Sequence, residues 1–316
     1  MCRLCTWHCN IKPGATGVCR VRRNDGGVLR ALTYGRITAA NLDPIEKKPL
    51  FHFYPGRPIL SIGSWGCNLR CSFCQNWEIS QQEAPTRELM PAAAAELAAQ
   101  LEAQGNLGIA YTYNEPFIWF EYVYDTGKLV HERGLKNVLV TNGIVEVEPL
   151  EELLPLIDAM NVDIKSMDDE FYRRMAQSSG LAARRTVELA WGRAHVEITN
   201  LVIPGENDDD EDFRRLAEWA SSISRKLPVH VSRYFPAYRC RIPPTPVETL
   251  ERARRILSER LDFVYVGNVV TAEGDNTYCP RCGALVVRRR GYQAEVVALD
   301  EGGRCAACGE ELGIVR

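Results

Sequence analysis

From residue 59 to residue 266 two kinds of segment alternate. Short apolar runs rich in β-branched or aromatic residues are Ile59–Gly63, Gly108–Tyr113, Asn137–Thr141, Ala159–Ile164, His195–Ile203, Val229–Tyr234 and Phe263–Val266. Between them lie longer stretches whose apolar positions recur at helical spacing: Pro91–Gln104, Phe117–Arg133, Pro149–Leu156, Asp169–Met175, Ala182–Trp191, Glu211–Leu227 and Pro246–Arg260. Strands and amphipathic helices in this order predict right-handed βαβ units and a parallel sheet. The pattern fits either a partial barrel or an open doubly wound sheet. No Gly-x-Gly-x-x-Gly follows the first strand, which speaks against a dinucleotide fold. Residues 1–58 read as an irregular lead-in with short strands such as Val28–Tyr34, and the composition shifts again near Gly274. Three parts are therefore expected: a Cys-rich extension (1–58), a βα core (59–273) and a small terminal module (274–316). The acidic run Asp208–Asp212 reads as a helix start, where negative charge suits the dipole.

Charge changes this picture little. With 38 Lys and Arg against 41 Asp and Glu, the net charge of -3 gives no chain-wide attraction to nucleic acid or anionic lipid. No apolar run approaches the ~18 residues of a membrane span, and the Met1–Cys5 start carries no secretory signal. A cytoplasmic protein without membrane contact is expected, in which thiols stay reduced and serve as metal ligands or catalytic groups.

The cysteines then matter most. Eleven of twelve fall in three sets: Cys2, Cys5, Cys9 and Cys19; Cys67, Cys71 and Cys74; Cys279, Cys282, Cys305 and Cys308. Cys240 stands alone and reads as a packing residue. The middle set, C-x-x-x-C-x-x-C at the end of the first strand, suits a loop wrapped around one corner of a [4Fe-4S] cube. Three thiolates leave one iron without a protein ligand and open to a small molecule; the alternative is a zinc site or unrelated thiols. The last set, two C-x-x-C-Gly knuckles around a β-rich stretch, is the pattern of a zinc ribbon or a rubredoxin-like iron site. The first set suits either zinc or an auxiliary iron–sulfur cluster, with His8 able to replace one ligand. Arg288-Arg289-Arg290 reads as a solvated hairpin face or a docking patch for an acidic partner or RNA.

Gly66-Cys67-Asn68-Leu69-Arg70-Cys71-Ser72-Phe73-Cys74 resembles the cluster loop of the radical S-adenosylmethionine (radical SAM) enzymes. The resemblance implies a partial (β/α)6-type barrel, a [4Fe-4S] cluster on Cys67, Cys71 and Cys74, and S-adenosylmethionine chelated to the fourth iron. It also implies reductive cleavage to a 5′-deoxyadenosyl radical that abstracts hydrogen from a substrate, with Phe73 near the adenine. Tyr111–Pro116 looks like a variant of the family's Gly-Gly-Glu segment. Glu115 then faces the S-adenosylmethionine ammonium beside Asn114, with both glycines replaced. Asp163 and Lys165 resemble the Asp-x-Lys pair of glycyl-radical-enzyme activases and are expected at the ribose or the carboxylate. Thr141 and Asn142 end the third strand. Asn200 and Arg233, at the fifth and sixth, are further candidate contacts, whereas His195 and His230 read as hydrogen-bonded core residues.

Segments 43–56 and 71–81 are similar to the AmmeMemoRadiSam-system enzymes, homologues of the pyruvate formate-lyase activating enzyme. That resemblance implies an electron donor such as a ferredoxin or flavodoxin, a protein or RNA substrate, and AMMECR- and Memo-type partners. A non-catalytic iron–sulfur carrier or a zinc-ribbon nucleic-acid adaptor leaves the strand-end motifs without a role.

Overall fold

The computed structural model describes residues 1–269 and 275–316, so the composition change near Gly274 lies outside the described residues. Eight strands form one sheet whose order in space is their order in sequence. They are β1 (Ala39–Pro44), β2 (Pro58–Gly63), β3 (Gly108–Tyr111), β4 (Lys136–Thr141), β5 (Ala159–Asp163), β6 (His195–Val202), β7 (Val229–Arg233) and β8 (Val264–Gly267). β1 runs antiparallel to β2 and the remaining pairs are parallel. β1 and β8 are the two edges, so the barrel is open. The seven expected strands are present. β1 is an addition, drawn from the stretch read as an irregular lead-in: Ala-Ala-Asn-Leu-Asp-Pro has little strand propensity of its own, and pairing with β2 makes it a strand.

Six helices of seven or more residues connect the parallel strands: α1 (Pro91–Gln100), α2 (Phe120–His131), α3 (Val147–Leu153), α4 (Leu181–Ala190), α5 (Asp210–Ile223) and α6 (Val247–Ser258). Asp209 caps α5 by accepting a hydrogen bond from the Asp212 amide (2.7 Å), which gives the acidic run its structural reason. Between β5 and α4 the expected helix is mostly a π-turn, Tyr172–Ala176.

Strand alternation sorts the core into two layers. Leu60, Ile62, Ile109, Tyr111, Leu139, Met160, Val162, Val196 and Ile198 pack with the helices. Ile59, Ala110, Val138 and Ala159 face inward and pack on Ile45, Leu50 and Phe53. The segment after β1 thus plugs the barrel at the strand N-termini. Gly108 is required where β3 meets β4: its φ is +152°, and a Cβ would stand 2.0 Å from the Lys136 carbonyl oxygen.

A buried polar network closes the same floor. Glu197 accepts from the His52 amide (2.7 Å) and pairs with His195 (3.0 Å) and His230 (2.6 Å). Both histidines are therefore hydrogen-bonded core residues. His52 also meets the Tyr265 hydroxyl (2.6 Å) and the Leu312 carbonyl (3.1 Å). The C-terminal module, with strands β9 (Thr277–Tyr278), β10 (Leu285–Arg290) and β11 (Gln293–Val296), docks on this floor. Arg289 is buried there: it donates to the Phe51 carbonyl (2.6 Å), and its guanidinium lies 4.1 Å from the Phe51 ring centre. The basic run is therefore not a continuous surface patch, because alternation along β10 turns its middle arginine inward and Arg288 pairs with Glu295 (2.7 Å). Among the described residues no helix is long and apolar enough to cross a membrane.

Candidate active site

A cavity of about 290 Å³ opens at the C-terminal ends of the parallel strands, where βα folds build their sites. Cys67, Cys71 and Cys74, on the loop after β2, all line it, and no fourth cysteine does among the described residues. The loop is held from two sides. The Arg70 and Ser72 amides donate to the Ala176 and Met175 carbonyls of the π-turn (3.0 and 2.9 Å). On the other side Gly66, at φ +88°, backs onto the N-terminal extension; a Cβ there would stand 2.8 Å from the Cys19 carbonyl oxygen. Asn114 ties the loop to β3, accepting from the Ser64 amide (3.0 Å) and donating to the Gly66 carbonyl (3.2 Å).

Burial pushes the three thiols up, Cys71 to about 12. Cys67 lies well above its ordinary value through burial and the nearby Glu115 carboxylate, and burial also raises Cys74. Three thiolates brought together on one loop, Cys71 buried and Cys67 and Cys74 half-buried, repel one another unless cationic metal joins them, so this donor set fits iron. The Leu69 amide and the Asn142 side-chain amide reach the Cys67 sulfur at 3.3 and 3.6 Å.

Two groups bring complementary charge to the cavity. Lys165, just past the end of β5, pairs with Asp163 (3.2 Å) and lies 5.7 Å from the Phe73 ring centre. Burial works against its charge, yet the Asp163 carboxylate holds its pKa above the ordinary lysine range. Opposite is Glu115, whose carboxylate accepts from the Phe117 amide (2.9 Å), the Thr141 hydroxyl (2.7 Å) and the Asn142 amide (2.8 Å). Burial still raises it to about 7. A cation binding beside Glu115 and an anion beside Lys165 are both electrostatically favoured.

Asn114, Glu115, Thr141, Asn142, Asp163, Lys165 and Phe73 therefore share one cavity. Asn200 and Arg233 do not line it. Register pairs Thr199 with Asp163, so Thr199 faces in and Asn200 faces the helices, where its amide donates to the Ile164 carbonyl (2.9 Å). Arg233 likewise points away from the neighbouring Ser232 and donates to the Thr245 carbonyl (2.8 Å). Thr199 and Ser232 were missed, although counting by twos along each strand from a known inward residue finds them. Tyr113, beside Asn114, also lines the cavity, and Pro49 and Asn268 are brought in by chain segments distant in sequence.

The outer cysteine sets take two different forms. Cys279, Cys282, Cys305 and Cys308 have all four Sγ atoms within 4.8 Å of one another, with pairs at 3.6 and 3.7 Å, which fits a metal-binding module. Cys2, Cys5, Cys9 and Cys19 line a separate enclosed cavity. His8 also lines it, but its Nε2 is 2.9 Å from the Glu146 carboxylate. Cys240 is buried in the main core and lines neither cavity.

Residues 62–217 match the radical SAM superfamily. An uncharacterised protein of Methanocaldococcus jannaschii is 44% identical over 99% of this chain and 95% of its own length. The pyruvate formate-lyase 1-activating enzyme of Escherichia coli is 26% identical over 61% of this chain and 86% of that enzyme. A radical SAM methyltransferase structure from Sphaerobacter thermophilus shares the fold, with a TM-score of 0.51 and 22% identity over 68% of this chain and 67% of that one. The open trio of thiols at the mouth of a parallel barrel and this kinship have one meaning: the chain belongs to the radical SAM superfamily, as an enzyme that cleaves S-adenosylmethionine at a [4Fe-4S] cluster to form a radical.

Proposed function

We propose that the 5′-deoxyadenosyl radical formed here abstracts hydrogen from a substrate admitted at the open end of the barrel. The observation that carries this reading is the convergence of Cys67, Cys71 and Cys74 on one cavity with Glu115 and the Asp163–Lys165 pair. When bound, the cluster and S-adenosylmethionine supply the electron and the radical. The chain's residues orient them. Lys165 offers its charge to the methionyl carboxylate, Asp163 accepts from the ribose, Phe73 packs near the adenine and Glu115 receives the ammonium. Asn114, Thr141 and Asn142 hold that constellation in place. Asn200 acts through the segment that carries Lys165, and Arg233 has no cofactor role.

A second reading, activation of a glycyl-radical enzyme, is favoured by Asp163-Ile164-Lys165 and by the similarity to the activating enzyme of Escherichia coli. With the basic run of β10 interrupted by buried Arg289, a protein or small molecule suits the site better than RNA. The reading also includes three-part organisation, with zinc in the C-terminal quartet. That quartet sits at the barrel floor, on the far side from the cavity, which suits a structural ion more than an electron entry point. A cytoplasmic location, a ferredoxin or flavodoxin as donor, and AMMECR- and Memo-type partners complete it.

The test is anaerobic loading with iron and sulfide, then reduction by dithionite with S-adenosylmethionine present. Formation of 5′-deoxyadenosine, followed by mass spectrometry, is expected; none at full cluster occupancy would overturn the reading. A glycyl radical in a co-incubated candidate enzyme, seen by electron paramagnetic resonance, would select the second reading.

Glu115 makes a further expectation. Its carboxyl, raised to about 7, must be ionised to receive an ammonium, so binding competes with a proton at lower pH. S-adenosylmethionine should bind the unreduced, cluster-loaded protein about tenfold more tightly at about pH 7.5 than at about pH 6. Glu115→Gln should bind weakly at both. Titration calorimetry that finds pH-independent binding by the unsubstituted protein would remove Glu115 from the ammonium site.

A further inference from the structure

The three cysteine sets carry two different spacings. Metal–sulfur bonds of about 2.3 Å at tetrahedral angles place sulfurs about 3.8 Å apart. The C-terminal quartet matches this, with pairs at 3.6 and 3.7 Å. Among the described residues it is the only set whose sulfurs all lie within 4.8 Å. Cys2, Cys5, Cys9 and Cys19 surround a single enclosed cavity yet stand wider apart, as do the cluster cysteines Cys67, Cys71 and Cys74. Sulfurs so spaced do not close on a single ion, but each can hold its own iron at the corner of a cube.

The cavity is also built for anionic sulfur. The Val18 amide lies 3.5 Å from the Cys9 sulfur. Such N–H contacts hold and tune iron–sulfur centres. Arg22, only 8% exposed, also lines the cavity; its guanidinium pairs with the Glu121 carboxylate and its Nε is without a partner. The Nε2 of His8 is engaged by Glu146, and the four cysteines supply a complete set of ligands without it.

One residue joins this cavity to the active site. Asn68 follows Cys67, and its Oδ1 lies 3.9 Å from the Cys67 sulfur. The Trp7 indole donates to the Asn68 carbonyl (2.8 Å), while the Cys19 carbonyl abuts Gly66. On the outer side Met1 and Trp7 are 69% and 37% exposed. We propose that Cys2, Cys5, Cys9 and Cys19 hold a second [4Fe-4S] cluster that relays single electrons from the surface to the cluster at Cys67, Cys71 and Cys74. A low-potential one-electron donor, a reduced flavin or iron–sulfur protein, takes the outer cluster from 2+ to 1+. The outer cluster returns to 2+ as the inner one goes from 2+ to 1+, and reductive cleavage of S-adenosylmethionine consumes that electron. The relay rests on the radical SAM assignment; the outer cluster itself does not.

The test uses the full chain, reconstituted anaerobically with iron and sulfide. The unsubstituted protein should hold about eight irons and C67A/C71A/C74A about four, with equal sulfide. After dithionite reduction that variant should give a simple [4Fe-4S]1+ resonance, and the unsubstituted protein one broadened by coupling between neighbouring clusters. Zinc in place of iron at the outer site, or about four irons in the unsubstituted protein, would overturn the cluster. Eight irons without magnetic coupling would overturn the relay. Should C67A/C71A/C74A fail to fold, the iron count of the unsubstituted protein decides. Failure of the radical SAM assignment would read differently, as full clusters without 5′-deoxyadenosine.

Discussion

Cys71→Ala should lower 5′-deoxyadenosine formation by at least about a thousandfold, a loss of about 4 kcal/mol of transition-state stabilisation. Cys71 is buried, and its sulfur shares the cavity with Cys67 and Cys74. Alanine leaves two thiolates for a cube that needs three from this loop, so the iron there should be lost along with the activity. Among the described residues no other cysteine lines this cavity: Cys240 lines neither cavity, and Cys5 lines the other one. Cys240→Ala is the matching control, removing one buried sulfur from apolar packing while leaving product formation intact. Iron analysis and mass spectrometry of the products check both variants under dithionite, which avoids dependence on a protein donor. A Cys71→Ala protein that makes 5′-deoxyadenosine at the unsubstituted rate would remove this cysteine from the cluster.

Most of this site could be read from the sequence because its key groups belong to short local motifs. Cys67-x-x-x-Cys71-x-x-Cys74 places three thiols within one loop, and Asp163 and Lys165 stand at the end of a strand whose apolar pattern is unambiguous. The sequence is less legible where a side chain's direction depends on register. Asn200 and Arg233 sit at the right height along their strands but on the opposite face. Arg289 reads as one of three surface arginines until β10 places it between two outward neighbours. β1 and the plug after it were unreadable for another reason. Their stabilisation comes from partners distant in sequence, β2 for the strand and the barrel interior for Ile45, Leu50 and Phe53. The floor network escaped notice likewise, since Glu197, His52 and Tyr265 meet only after the barrel forms.

That floor yields the largest expected effect on stability. Glu197→Ala removes the acceptor shared by the His52 amide, His195 and His230, leaving buried polar groups without partners. Breaking a fully buried charged cluster from one side costs about 3–5 kcal/mol, so the melting temperature of the metal-loaded protein should fall by roughly 10 °C. Burial works against the Glu197 charge, yet the hydrogen bonds from His195 and His230 hold its carboxyl well below the ordinary range. Its contribution should therefore be complete above about pH 4.5, the value in the unfolded chain, and fade as pH falls through the lower folded value. Glu197→Ala should accordingly flatten the acid limb of the stability curve as well as lower its plateau. A short chain of hydrogen bonds runs from the same strand to the cavity. Thr199, two residues along β6, donates to Asn161 (2.9 Å), which donates to the Pro49 carbonyl (2.7 Å), and Thr199 and Pro49 both line the cavity. Calorimetry and acid denaturation check the prediction together: unchanged melting and an unchanged acid midpoint would mean that Glu197 fills space and that the floor is held by its apolar plug alone.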